Sequence, residues 1–276
     1  MNTQSKGLAV ITGASSGIGA VYADRLARRG YDLLLVARSR GPMEGLAKKL
    51  SAATGRKIDI LAADLTDAKD LAGLEQILRE NLSVGMLINN AGLGATKPLL
   101  NSDVSDMSRI IALNVEALTR LTYAVVPEFV KRGSGTIINI GSVVGVDPER
   151  LNGVYGGTKA FVLAFSQSLR HELKDKGVTI QVVLPGATAT NFWNTAGRPV
   201  EDLPKEIVMS TGDMVDASLV GLDEGEFVTI PALPDAGLWQ SFEAARQALQ
   251  PYLSRAEPAT RYGILRGQRE LVHVED

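Results

Sequence analysis

The chain has 276 residues, 45% of them hydrophobic, with no cysteine and a net charge of -2. The absence of cysteine excludes disulfides, thiol nucleophiles and thiolate metal sites, and the charge gives no basic excess to recruit nucleic acid. That length suits one large α/β domain over 1–276 with a substantial buried core. The N-terminus, Met1 to Gly7, is short and polar and has no signal-peptide layout. No apolar run approaches the roughly 20 residues that span a bilayer, so a cytoplasmic protein without a membrane partner is expected.

Leu8 to Ile11 is a short, continuous apolar run, the pattern of a strand buried on both faces. The turn Thr12-Gly13-Ala14-Ser15-Ser16-Gly17-Ile18-Gly19 follows, and a helical pattern runs from Ala20 to Arg29. Strand, glycine-rich turn and helix is the arrangement that cradles a pyrophosphate on backbone N–H groups. Gly13 suits the sharp turn, Gly17 the approach of phosphates, and Gly19 close packing of helix on strand. The alternative is a purely structural glycine turn. Tyr31 to Val36 is a second strand, ending Ala37-Arg38-Ser39-Arg40. An acidic residue here would bind a ribose 2′-hydroxyl and favour NAD. Arg38 instead offers a planar guanidinium to a 2′-phosphate, so NADP(H) is preferred over NAD(H), with Arg38 and Ser39 at the cofactor; otherwise Arg38 and Arg40 are solvated loop charges.

Pro42 to Ala53 has helical spacing, and Lys57 to Ala62 reads as a third strand. Asp64 and Leu65 lie just past its carboxyl end, where such sheets bind ligands, and Asp64 is placed to meet the adenine. A helix over Asp67 to Asn81, with Thr66 as its N-cap, leads to a fourth strand, Met86 to Asn89. Asn90, Ala91 and Gly92 then form a tight turn beside a ribose. Four strand–helix alternations with short loops predict a doubly wound parallel sheet, an αβα sandwich of Rossmann type. Helices over Met107 to Leu113 and Val115 to Arg132 are broken near Asn114, whose carboxamide either finds buried partners, a water among them, or caps a helix. Pro127 falls inside the second helix.

Gly135 to Ile140 is the fifth strand and leads to Ser142. A helix over Val154 to Lys176 carries Tyr155 and, one turn on, Lys159. A phenol ionises near pH ~10, and a neighbouring ammonium lowers that value, so Tyr155 is suited to exchange a proton with a carbonyl or alcohol oxygen that Ser142 holds in place. The plainer reading is a surface tyrosine and a solvated lysine. The apolar stripe Phe161, Val162, Phe165, Leu169 and Leu173 is broader than one sheet face requires, and part of it is available to another subunit. Val178 to Leu184 is the sixth strand, and Pro185-Gly186-Ala187-Thr188-Ala189-Thr190 would lie over a nicotinamide. Residues 191–222 make a variable substrate-binding lid: Asn191 to Ser210, mobile with exposed Phe192 and Trp193, then a helix over Thr211 to Leu222. Glu226 to Pro231 is a last strand and Leu238 to Leu253 a terminal helix; the tail 254–276 is expected to be partly ordered.

With Thr12-Gly13-x-x-x-Gly17-x-Gly19, Asn89-Asn90-Ala91-Gly92, Asn114, Ser142, Tyr155-x-x-x-Lys159 and Pro185-Gly186 in order, the chain resembles the short-chain dehydrogenase/reductase family over residues 7 to about 190. The resemblance implies a Rossmann fold binding NAD(P), a catalytic set of Asn114, Ser142, Tyr155 and Lys159, and a homodimer or homotetramer built on the Asn114 and Tyr155 helices. Cofactor contacts are then expected from Thr12, Gly13, Ser15, Ser16, Gly17, Ile18, Gly19, Arg38, Ser39, Asp64, Leu65, Asn90, Ala91, Gly92, Tyr155, Lys159, Pro185, Gly186, Thr188 and Thr190. The expected reaction interconverts a carbonyl and a secondary alcohol by hydride transfer, with Tyr155 as acid/base. A non-catalytic, NADP-binding redox sensor is the alternative, although it has no need of a Ser-Tyr-Lys set. A metal hydrolase fails on ligands: His171-Glu172-Leu173 lacks the second histidine of a zinc helix, leaving His171 as a helix-surface residue and His273 in the tail. The lid aromatics with Val143, Val144 and Val146 indicate an apolar or mixed pocket, without choosing among ketone, aldehyde, sugar and lipid substrates.

Overall fold

A computed structural model describes residues 5–264. Two compact units divide the chain, Met1–Ala232 and Leu233–Asp276. The first is built on a seven-stranded, wholly parallel sheet in the order β3-β2-β1-β4-β5-β6-β7. Its strands are β1 (Leu8–Thr12), β2 (Asp32–Ala37), β3 (Ile58–Ala62), β4 (Val84–Asn89), β5 (Gly135–Ile140), β6 (Val178–Val183) and β7 (Val228–Thr229). The order reverses between β1 and β4, and ligands of such sheets bind beyond the carboxyl ends at that point.

The continuous apolar runs follow from burial on both faces, because successive side chains of a strand point to opposite sides. Ala9, Ile11, Leu33 and Leu35 meet Tyr22, Leu26, Met43, Met214 and Leu219 in one core layer. These come from α1 (Gly17–Arg28), α2 (Arg40–Thr54) and α8 (Thr211–Asp223). Val10, Leu34, Val36, Leu87 and Ile137 meet Leu74, Leu121, Phe129 and Leu169 in the other. That layer belongs to α3 (Ala68–Glu80), α5 (Leu118–Arg132) and α6 (Gly153–Glu172). The outcome is the expected three-layer Rossmann-type sandwich.

Several boundaries differ from the sequence expectation for physical reasons. Asp67, not Thr66, caps α3: its carboxylate accepts from the backbone N–H groups of Lys69 (2.9 Å) and Asp70 (3.0 Å), while the Thr66 hydroxyl turns back to Asp64 (2.7 Å). The helix expected to break near Asn114 runs through, from α4 (Val104–Ile111) to α5, by widening into a π-turn over Ala112–Ala117. This composite helix, Val104–Arg132, is by length and composition apolar enough to cross a membrane, contrary to the expectation that no run is. Its residues Ala117, Leu121, Ala124, Val125 and Phe129 are spent in the core. Only two residues of the expected seventh strand pair with β6. Within 191–222, a short helix α7 (Phe192–Ala196) precedes α8, and Met214, Val215, Ser218 and Leu219 of α8 are buried.

In the second unit, α9 (Ala236–Ala248) is capped by the Asp235 carboxylate and has no buried residue. It ends earlier than the sequence pattern because Pro251 cannot continue an α-helix, and a 3-10 turn over Gln250–Tyr252 follows. The tail is described to Ile264. Residues 265–276, His273 among them, lie outside the described residues.

One buried link joins α1 to α8. The Tyr22 phenol, with no exposed surface, shares a hydrogen bond with the Ser218 hydroxyl (2.5 Å), and burial holds its pKa well above the ordinary value. A buried hydroxyl stripped of its partner costs about 1–3 kcal/mol, whereas removing both groups is nearly neutral. Ser218→Ala is therefore expected to lower stability by about that amount, and Tyr22→Phe added to it to recover most of the loss. Urea denaturation of the wild type, both single variants and the double variant measures this, and strictly additive losses would show that the pair is not coupled.

Candidate active site

The switch point is pinned by side chains as well as by the sheet. At the end of β1 the Thr12 hydroxyl donates to the Ile88 carbonyl (3.2 Å) and accepts from the backbone N–H groups of Asn90 and Ala91, both at 3.0 Å. The Asn90 carboxamide donates in return to the carbonyls of Thr12 (2.8 Å) and Gly13 (3.2 Å). The β1 and β4 turns are therefore one rigid piece. A side chain at Gly13, whose φ is +67°, would put its Cβ 2.8 Å from the Asn90 amide nitrogen, and a Cβ at Gly19 would meet the Gly13 carbonyl at 2.4 Å. Beneath them the Asn89 amide donates to Asn139 (2.9 Å) and Thr122 (3.1 Å), and the Asn139 amide donates to Ser166 (3.0 Å).

The start of α1 is built for an anion. Side chains cap α3, α4, α6, α8 and α9, but Ser16 at the head of α1, like Ser39 at the head of α2, makes no such bond, and neither first turn has an acidic residue. The first N–H groups of α1 are thus uncommitted and carry the positive end of the helix dipole. They face a cleft of about 1100 Å³ lined by Gly13, Ser15, Ser16, Gly17 and Ile18. Arg38, Ser39, Asp64 and Leu65 lie along the same cleft. Arg40 is held by Glu44 (2.9 Å) on the surface, whereas Arg38 faces the cleft. The Asp64 carboxyl is held below the usual carboxylate range, first by the Thr66 N–H and also by the charges of Arg38 and Arg109.

Further along are Asn90, Ala91, Gly92, Ser142, Tyr155, Lys159, Pro185, Gly186, Thr188 and Thr190. Of the expected catalytic and cofactor residues, Thr12, Gly19 and Asn114 alone do not line the cleft. Asn114 is neither exposed nor a cap. It sits inside the π-turn, accepts from the Leu93 N–H (2.9 Å), and donates to the Leu93 carbonyl (2.8 Å) and the Thr158 hydroxyl (3.1 Å). Thr158 donates in turn to the Tyr155 carbonyl (2.8 Å). Widening by one residue is what swings this carboxamide off the helix cylinder toward both partners. Thr158 and Asn152 are parts of the site that sequence reasoning missed. Asn152 caps α6 through Val154 (2.9 Å) and Tyr155 (3.4 Å). An asparagine directly before the Tyr155 helix was a readable capping signal.

Tyr155 and Lys159 are both almost fully buried, 5% and 6% exposed, which rules out the reading of a surface tyrosine and a solvated lysine. The Lys159 ammonium donates to the Ile140 carbonyl (2.8 Å) and lies 5.9 Å from the centre of the Tyr155 ring. Burial pushes the Tyr155 phenol up to about 12, with the Ser142 hydroxyl pulling the other way. Burial also brings the Lys159 ammonium down to about 8. The sequence reading expected the lysine to lower the tyrosine; in the folded chain desolvation is the larger effect on both groups. Val143 and Val144 line the cleft with Phe192 and Trp193, but Val146 does not. The two aromatics are half-buried rather than exposed.

With this geometry in view, the comparisons with known proteins decide the family. The short chain dehydrogenase family matches residues 7–200. The chain belongs to it. A short-chain dehydrogenase from Sphingobium yanoikuyae, solved in complex with NADPH, is 48% identical, superposes with a TM-score of 0.90, and covers 93% of this chain and 99% of its own. The bulky-bulky ketone specific alcohol dehydrogenase from Comamonas testosteroni is 46% identical with a TM-score of 0.87, covering 94% and 99%. Among curated relatives, the very-long-chain 3-oxoacyl-CoA reductase of Bos taurus is 36% identical over 200 residues, 71% of this chain and 64% of the relative. The chain thus spans less than two thirds of that relative's length.

The Lys159 shift makes a pH prediction. Its folded pKa lies below the ordinary 10.5, so between about pH 8 and 10.5 the unfolded chain holds a proton that the folded chain has released, and stability rises with pH across that window. The full rise is about 3 kcal/mol at 1.36 kcal/mol per unit. Below pH 8 the buried charge opposes folding throughout. Lys159→Met is expected to be more stable than the wild type at pH 7 and to flatten the rise measured from pH 7 to 9.5, short of tyrosine titration. Chemical denaturation at stepped pH reads this out, and parallel curves for the two proteins would refute it.

Proposed function

We propose that this protein is an NADP(H)-dependent oxidoreductase that interconverts a ketone and a secondary alcohol. The observation that carries the reading is one cleft with an uncommitted helix N-terminus and a guanidinium at one end, and Ser142, Tyr155 and Lys159 at the other. The fit to a dinucleotide phosphate rests on the α1 N–H groups, on Gly17 opening that helix onto the cleft without a side chain, and on Arg38, a bidentate partner for a 2′-phosphate. The NADPH carried by the Sphingobium relative supports the same choice. When bound, the nicotinamide supplies the hydride.

The chain's own residues supply position and a proton. Ser142 holds the carbonyl oxygen with its hydroxyl, and Tyr155 donates the proton that the oxygen takes up as hydride arrives at the carbon. A phenol at about 12 is fully protonated at neutral pH, so the donor is loaded for reduction. The charge on Lys159 then favours the phenolate left behind. Asn114, through Leu93 and Thr158, fixes the loop and helix that bracket this ammonium. The apolar side chains at the far end, Leu151, Phe192, Trp193 and Leu203, support a ketone with sizeable apolar substituents, in keeping with the Comamonas relative's bulky-bulky ketones.

Tyr155→Phe is expected to lower kcat for ketone reduction by about 10²–10⁴-fold while NADPH still quenches protein fluorescence; near-normal turnover would remove the acid/base role. Separately, the Ala37→Asp, Arg38→Ile double variant is expected to reverse the ratio of kcat/KM for NADPH over NADH. An unchanged ratio would refute the assignment of the 2′-phosphate to Arg38.

A further inference from the structure

The substrate end of the cleft contains a pairing that the reaction itself does not require. The Phe192 ring leans over Tyr155, ring centres 5.8 Å apart at 45°. Its tip rests on Gly94: a Cβ built there would lie 2.1 Å from Phe192 Cζ and 2.7 Å from Cε2. Its position is set by backbone latches. Trp193, edge-on to Phe192 at 5.8 Å, donates its indole N–H to the Thr188 carbonyl (3.0 Å). At the other end of α7 the Ala196 carbonyl accepts from both the Thr96 N–H (3.0 Å) and the Thr96 hydroxyl (2.8 Å). The ring therefore borders the cleft beside Tyr155.

We propose that Phe192, seated on Gly94, is the specificity-determining side chain of the site and sets the size limit for one of the two ketone substituents. The proposal rests on the oxidoreductase reading above. A fixed aromatic wall excludes volume rather than contributing chemistry, so its effect falls on discrimination between ketones. Because the ring tip has room only where Gly94 lacks a Cβ, a methyl group there drives the ring away from Gly94 and into the space it shares with Tyr155. That makes the two positions energetically one unit, and their substitutions non-additive.

The test uses the full-length protein with NADPH and two ketones, acetophenone with one methyl substituent and hexanophenone with none that small. The readout is the ratio of kcat/KM for hexanophenone over acetophenone. Phe192→Ala is expected to raise this ratio about tenfold, and Gly94→Ala to lower it about tenfold, the scale at which pockets discriminate apolar groups. In the Phe192→Ala background, Gly94→Ala is expected to change nothing. Phe192→Leu, which keeps an apolar side chain on the latch, is expected to fall between the wild type and Phe192→Ala. A ratio unmoved by Phe192→Ala and Phe192→Leu, or a Gly94→Ala effect of equal size with and without the ring, overturns the proposal and leaves the oxidoreductase reading standing. A wild-type protein that binds NADPH yet reduces neither ketone, or whose reduction survives Tyr155→Phe, overturns the reading beneath it and the proposal with it.

Discussion

The site depends on one buried charge held by a backbone carbonyl. Lys159 on α6 reaches across to Ile140 at the end of β5, and an ammonium out of water tolerates that position only with a strong acceptor in place. The bond fixes α6 against the carboxyl edge of the sheet. It acts with the Asn139–Ser166 and Asn114–Thr158 bonds and with Leu169 in the core to place Tyr155, one turn earlier on the same helix. Desolvation brings Lys159 down to about 8 and Tyr155 up to about 12. Burial thus keeps the phenol neutral, and the ammonium, although burial works against its charge, is still protonated beside it at neutral pH.

Around that charge the polar groups are spent in pairs. Thr12 and Asn90 lock the β1 and β4 turns together, and Asn114 ties the loop at Leu93 to α6 through Thr158. A Cβ at Gly92 would sit 3.3 Å from the Asn114 side-chain oxygen and 3.7 Å from the Lys159 ammonium nitrogen, so this loop is wedged between the two. The π-turn is best understood as the means to this arrangement. A regular helix would project Asn114 at the ordinary 100° step. One extra residue in the turn redirects the carboxamide without breaking the helix.

The sheet was legible because both-face burial writes itself as uninterrupted apolar runs, and the cofactor turn because glycine is the residue a close approach demands. Tyr155 and Lys159 were legible through a one-turn spacing on a helix. Three kinds of feature were not. The Thr66–Asp67 choice of cap turns on which side chain is free, and Asp64 had already claimed Thr66. The break foreseen at Asn114 was a π-turn, since a polar residue in an apolar helix marks an irregularity but not its form. The pKa values turned on burial depth, which spacing does not carry: an i, i+4 pair puts a charge near a phenol, but only the folded surroundings decide whether proximity or desolvation prevails.

The segment after β6 shows why substrate choice resists a sequence reading while cofactor binding does not. Phosphates are met by backbone N–H groups, so the requirement falls on glycines whose positions can be counted. The substrate wall is made by a side chain whose place is set at a distance. Phe192 stands where it does because Thr188 holds Trp193, Thr96 holds Ala196, and Gly94 has no side chain. Thr188 lies in the same loop as Phe192 and Trp193, but Gly94 and Thr96 have no periodicity or spacing relative to Phe192 in the chain. These last two meet it only because the loops after β4 and β6 open on the same carboxyl edge of the sheet. The topology that gathers Ser142, Tyr155 and Lys159 is therefore also what brings the loops after β4 and β6 together at the cleft.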